Sequence, residues 1–129
     1  MTRKTITTNA APGAVGPYVQ GVRVGRLLFV SGQVALDPVT GLLVEGGIEA
    51  QTRRVMDNLA AILVAGGSGL DRVVKATVYL TDLGSFETMN QVYSSFFPGE
   101  KPARVCVEVS RLPRNSLVEI DAIATVDEA

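Results

Sequence analysis

The sequence of 129 residues contains no histidine. That excludes Ser-His-Asp and Cys-His catalysis within the chain, because both rely on an imidazole to carry a proton. It also removes the commonest ligand of zinc and the transition metals, and no metal site is expected. Acid-base work must then fall to carboxylates, lysine, tyrosine or cysteine. There is one cysteine, Cys106, so no intrachain disulfide can form. A reducing cytoplasm is the expected location. No apolar run approaches the ~18 residues that span a bilayer. Residues Met1 to Ile6 include Arg3 and Lys4 but lead into no apolar stretch, so no secretory signal is expected. A basic excess is missing as well. The net charge of -1 argues against a nucleic-acid partner, which needs a basic footprint. The basic clusters, Arg3-Lys4, Arg53-Arg54 and Arg111 with Arg114, suit a scattered solvated surface.

Apolar residues make up 47% of the chain and charged residues 19%, enough to build a core. No repeat, low-complexity tract or linker breaks the chain, and residues 1–129 are expected to form one domain. The mean hydropathy of +0.26 is high for this length, and a subunit interface would absorb the excess.

The order of elements follows from periodicity and punctuation. Lys4 to Thr8 suits a short first strand, ended by Asn9-Ala10-Ala11-Pro12-Gly13. Gly16-Pro17-Tyr18-Val19-Gln20 is a loop. Gly21 to Val24 and Leu27 to Ser31 form a hairpin turning at Gly25. Leu27 to Val30 is continuously apolar, which suggests a strand buried on both faces. Asp37-Pro38-Val39-Thr40-Gly41 has turn chemistry. Ile48 to Ala65 is a helix, with Ile48, Thr52, Val55, Leu59, Ile62 and Leu63 at helical spacing and Gly66 at its C-terminal cap. The run Gly66-Gly67-Ser68-Gly69 follows a helix rather than opening one, so it is not a phosphate loop. Val73 to Leu80 is a strand, and Thr81 or Asp82 can cap a second helix over Ser85 to Phe97. Phe86, Met89, Tyr93, Phe96 and Phe97 form a core stripe there, and Asn90 within it needs a polar partner.

Two strands close the chain. In Ala103 to Val109, the aliphatic residues alternate with Arg104, Cys106 and Glu108. In Val118 to Ala124, Glu119 and Asp121 share a face with Ile123. These charged faces either look at solvent or line a site. Alternation alone favours solvent, because antiparallel sheets commonly leave one face wet. The order β, β-hairpin, α, β, α, β, β gives an α/β fold of the α+β, two-layer sandwich type, with two helices against one mixed sheet.

Several segments resemble the Rid family, also called the YjgF family. They are Gly16-Pro17-Tyr18-x-Gln20, Ser31-Gly32-Gln33, Pro38-x-Thr40-Gly41, Asn90-x-Val92-Tyr93, Phe96-Phe97, Pro102-Ala103-Arg104-x-Cys106-Val107 and Leu112-Pro113 through Val118-Glu119-Ile120. They run in the family's order from near residue 5 to near residue 126. The resemblance implies a chorismate-mutase-like fold whose sheet inserts another strand between the last two, and a homotrimer with active sites between subunits. It also implies hydrolysis of 2-imino acids such as 2-iminopropanoate and 2-iminobutanoate to 2-keto acids and ammonia, without cofactor or metal. Pyridoxal-phosphate dehydratases acting on serine or threonine release such imines. Carried over, Arg104 clamps the substrate carboxylate and Glu119 polarises the attacking water. Tyr18, Ser31, Gly32, Asn90 and Cys106 form the substrate-binding surroundings, Gly32 and Cys106 mainly through backbone. Val19 replaces the family's small hydroxyl residue, which bears on substrate range. Two other readings remain at this point: a non-catalytic sensor of small carboxylates, and RNA cleavage, an activity of some relatives.

Overall fold

The structure is a computed structural model that describes residues 2–127. Its elements are β1 (Arg3–Ile6), β2 (Gly21–Val24), β3 (Leu27–Gln33), α1 (Gly47–Ala65), β4 (Val73–Leu80), α2 (Phe86–Ser95), β5 (Ala103–Glu108) and β6 (Val118–Thr125). The six strands form one sheet in the order β1-β2-β3-β6-β4-β5. The β4–β5 pair is parallel and every other neighbouring pair is antiparallel. Both helices pack on one face, giving the expected α+β two-layer sandwich. β4 separates β5 from β6, so the two last strands do not form a hairpin.

The sequence explains most of these elements locally. Gly25, at φ 58, makes the β2–β3 turn. Asp37 accepts hydrogen bonds from the backbone N–H groups of Val39 and Thr40, at 2.8 and 3.0 Å, and fixes the following turn. α1 buries Thr52, Val55, Met56, Leu59, Ile62 and Leu63 against the sheet. At its end, a side chain on Gly66 would press its Cβ within 2.6 Å of Leu28. On the sheet, Leu28, Val30, Ala76, Val78, Leu80, Val118, Ile120, Ala122 and Ala124 complete the core.

Two buried polar side chains on α1 tie down loops beside the sheet. The Asn58 amide donates to the carbonyls of Val34 and Leu36, at 3.2 and 2.9 Å. Gln51 Oε1 accepts from the Leu117 N–H at 2.7 Å, next to the start of β6. Burial demands such partners, and here they fix the chain on either side of the functional residues.

Three expectations about burial are corrected. Leu27 to Val30 is not buried on both faces: Leu28 and Val30 are buried, but Leu27 and Phe29 are 41% and 42% exposed. In β5, Arg104 and Cys106 are the inward residues, while Glu108 at its end is exposed. Arg104 and Cys106 are half-buried on the side of α2, while Val105 and Val107 are 45% and 38% exposed on the opposite face. The common cause is that the helices cover only one face of the sheet. Met89 and Tyr93 of α2 and Phe97 just beyond it enter the core, whereas Phe86 is 39% exposed at the first turn and stands apart from the stripe.

Candidate active site

Arg104 lies in register with Ala76 of β4, and paired residues share a face. Ala76 points into the core, so Arg104 also stands on the helix side, at the β5 edge. There its Nη1 donates to Asn90 Oδ1 at 2.7 Å. That bond supplies the partner that an amide within the α2 stripe requires. The guanidinium carbon sits 4.9 Å from the Tyr93 ring centroid and 5.6 Å from that of Phe86. Cys106, two residues on, packs on the core beside it. Burial pushes the Cys106 thiol up, partly offset by Arg104, which keeps it a neutral wall group instead of a thiolate nucleophile.

Glu119 is in register with Tyr79 of β4, three positions after Ala76. Alternation therefore puts Glu119 on the face opposite to Arg104. Its carboxylate lies in a cavity of about 510 Å³ lined by Tyr18, Ser31, Gly32, Gln33 and Arg114, among others. The β3–β6 ladder shifts between Val30 and Gln33, so Ser31 and Gly32 bulge against Asp121 alone. The bulge brings the Gly32 backbone onto the carboxylate: a Cβ on Gly32 would lie 1.9 Å from Glu119 Oε2. Ser31 Oγ donates to the Val19 carbonyl, and the Ser31 N–H donates to the Gln20 carbonyl at 2.9 Å. These bonds fasten the Tyr18 loop along the cavity. Tyr18 is half exposed, and its hydroxyl accepts from the Val15 N–H at 3.3 Å.

Burial raises the Glu119 carboxyl above its ordinary value, and the nearby Asp121 carboxylate raises it further. Asp121 itself accepts from the Tyr79 hydroxyl at 3.1 Å. Among the described residues, the ion pairs are Arg53–Glu49 and Arg72–Asp127, so neither Arg104 nor Glu119 has an oppositely charged partner. Also among the described residues, no three His, Cys, Asp or Glu side chains gather as a metal would require.

The seven residues singled out in the sequence thus fall into two groups within one protomer. Tyr18, Ser31, Gly32 and Glu119 converge around the cavity. Arg104, Asn90 and Cys106 converge at the far edge, on the other face. Sequence reasoning missed the cavity walls supplied by Gln33 and Arg114, which carry no periodic signal. It also missed the two aromatic rings at Arg104. A cavity of about 470 Å³ on the outer side of α1 is lined by Glu49, Arg53, Arg54 and Asp57. Its Glu49 carboxylate already pairs with the Arg53 guanidinium, so size alone does not select the site.

The family model described as endoribonuclease L-PSP matches residues 8–126. A RutC family protein of Pyrococcus abyssi is 52% identical over 124 residues, which cover 96% of this chain and 98% of that protein. The 2-iminobutanoate/2-iminopropanoate deaminase of Mus musculus is 48% identical over 122 residues, covering 95% and 90%. The crystal structure of E. coli TdcF with bound serine is 43% identical, with a TM-score of 0.92 over 96% of this chain and 99% of that one. The E. coli YjgF gene product superposes with a TM-score of 0.90 at 44% identity, over 95% and 98%. Sequence and fold agree: the chain belongs to the Rid/YjgF family.

Proposed function

We propose that this chain hydrolyses small 2-imino acids to 2-keto acids and ammonia, at sites completed between subunits of a homotrimer. The observation that carries the reading is an unpaired guanidinium and an unpaired, half-buried carboxyl on opposite faces of one sheet. Neither face alone holds both groups, but the Arg104 edge of one copy set against the Glu119 cavity of another would. The exposed aliphatic residues Val105 and Val107 beside that edge give such a contact its apolar area.

In this reading, the fork of Arg104 N–H donors left free by Asn90 receives the substrate carboxylate. Glu119 accepts a proton from water as the water oxygen bonds to the imine carbon. That proton passes to the imine nitrogen and completes a carbinolamine. Glu119 then takes the carbinolamine hydroxyl proton and delivers it to the amine nitrogen, so that the C–N bond breaks, the C–O bond becomes the keto group and ammonia leaves. A carboxyl raised toward neutrality suits both transfers, because a catalytic group works best with a pKa near the working pH. Two relatives support the substrate class. The mouse protein bears the name of this activity, and the serine bound to TdcF has the same α-carboxylate beside a nitrogen-bearing carbon.

The family description favours RNA cleavage as a second reading. Against it stand the net charge of -1 and the Glu119 carboxylate in the cavity, which disfavour phosphates. A carboxylate sensor would need Arg104 but not Glu119.

The test couples the protein to threonine dehydratase with semicarbazide as a competing trap. The wild-type chain suppresses semicarbazone formation, while Arg104→Ala and Glu119→Gln each abolish suppression. Mixing those two inactive variants under subunit exchange restores about a quarter of the sites, because each random interface has even odds of an intact arginine and an intact glutamate. No suppression by wild type refutes the deaminase, and no restoration refutes the shared site. Retained ligand binding with no catalysis to lose points to the sensor, and steeply salt-dependent RNA binding to the nuclease.

A further inference from the structure

We propose that Phe86, together with Tyr93, is a positioning residue that holds the Arg104 guanidinium in an aromatic slot and presents its free N–H edge to the substrate carboxylate. The functional half of this inference rests on Arg104 being the carboxylate clamp. The geometric half stands apart from it.

Phe86 opens α2 and belongs by spacing to its apolar stripe, yet it does not enter the core. A large ring 39% exposed at a helix start needs another account. Its centroid lies 5.6 Å from the Arg104 guanidinium carbon, and the buried Tyr93 ring lies 4.9 Å from the same carbon. Both are within the ~6 Å over which a ring face attracts a cation. Asn90, between them in sequence, accepts from Nη1 at 2.7 Å. Helical spacing explains the convergence. Phe86, Asn90 and Tyr93 are four and three residues apart, so they line one side of α2 above the β5 edge.

The chemistry left over is specific. Five guanidinium N–H groups are available, and Asn90 takes one. Rings offer no lone pairs to compete for the others, so the remaining planar fork stays free for an external carboxylate. The rings also displace water from one side of the cation, which strengthens its pull on an anion. An arginine on an open strand edge would instead sample many rotamers and lose that freedom on binding.

Three variants test this in the full chain. Phe86→Leu keeps apolar bulk and removes the ring, Phe86→Tyr restores it, and Tyr93→Phe keeps the second ring without its hydroxyl. The first readout needs no ligand: the Arg104 Nε–Hε NMR resonance, assigned by its disappearance in Arg104→Lys. Ring currents and restraint give it a shifted, slowly relaxing signal in the wild type. Phe86→Leu moves the resonance toward its random-coil position and quickens its motion, and both Phe86→Tyr and Tyr93→Phe leave it unchanged. The second readout is binding of 2-ketobutanoate by calorimetry. Phe86→Leu weakens it roughly three- to tenfold, the scale of one partly exposed cation–π contact, while Phe86→Tyr binds within about twofold of wild type. In turnover the loss falls on KM and leaves kcat in place, with no change in melting temperature. A resonance that ignores Phe86→Leu overturns the slot. A resonance that responds while binding stays constant overturns its role toward the carboxylate. Absence of binding by the wild type overturns the clamp, and with it the deaminase reading, but leaves the slot to be judged by NMR.

Discussion

Alanine in place of Gly32 is expected to cut kcat/KM for a 2-imino acid by about a hundredfold while scarcely changing stability. The new Cβ would sit 1.9 Å from Glu119 Oε2 and 2.8 Å from its Cδ, where ordinary contact begins near 3.4 Å. The carboxylate must therefore retreat by about 1.5 Å. A displacement of ~1 Å in a catalytic group costs on the order of 10²-fold, or about 2.7 kcal/mol of transition-state stabilisation. Stability responds differently, because the obstructing atoms are the far end of a side chain that can rotate. An off-rotamer glutamate costs about 0.5–1.5 kcal/mol. Replacing glycine, whose φ here is not left-handed, returns about 0.4–1 kcal/mol by restricting the unfolded chain. The net is within ~1 kcal/mol, or at most ~4 °C in Tm for a chain of this size. The dehydratase–semicarbazide assay gives the kinetics and calorimetry the melting point. Activity within threefold of wild type would refute the claim that the carboxylate must stand where it does. A fall in Tm beyond about 8 °C would refute the claim that only a flexible group obstructs.

Other perturbations isolate other links. Glu119→Gln should stabilise the protein near pH 7 by removing a desolvated charge. Because the folded carboxyl is raised above its ordinary 4.5, the wild type loses stability as pH rises through that range. The glutamine variant's advantage therefore grows from pH 4 upward and then levels off, and urea unfolding at a series of pH values reads it; an advantage that shrinks with rising pH contradicts the assignment. The wild-type kcat/KM should fall as pH drops through the same raised pKa, as required of a base. Asn58→Ala leaves the Val34 and Leu36 carbonyls without their amide and should cost about 2–4 kcal/mol in urea unfolding. A loss under 1 kcal/mol would mean that water replaces it. Val107→Asp puts a charge on the exposed aliphatic face of β5. It should convert the proposed trimer into monomers by sedimentation and abolish turnover, and a variant whose assembly and activity match the wild type argues against that face as the interface.

The sequence alone determined the chemistry available and the parts list. Without histidine, acid-base work had to fall to carboxylates, lysine, tyrosine or cysteine. Two helical periods and six β-prone runs sufficed for the two-layer sandwich, because periodicity and turn residues act locally. The family motifs then picked out Arg104, Glu119, Gly32 and Asn90. Local pattern could not say which side of a strand meets the helices. Alternation fixes relative facing within a strand, but the core side depends on which face α1 and α2 cover. That is why Arg104 and Cys106 turned inward and Val105 and Val107 outward. Facing between strands is also a matter of register. Arg104 pairs with Ala76 and Glu119 with Tyr79, an odd number of positions apart, so one sheet holds the two residues on opposite faces. The tertiary structure alone decided that these residues cannot meet within one protomer, because pairing register is set by long-range packing that no stretch of sequence encodes by itself.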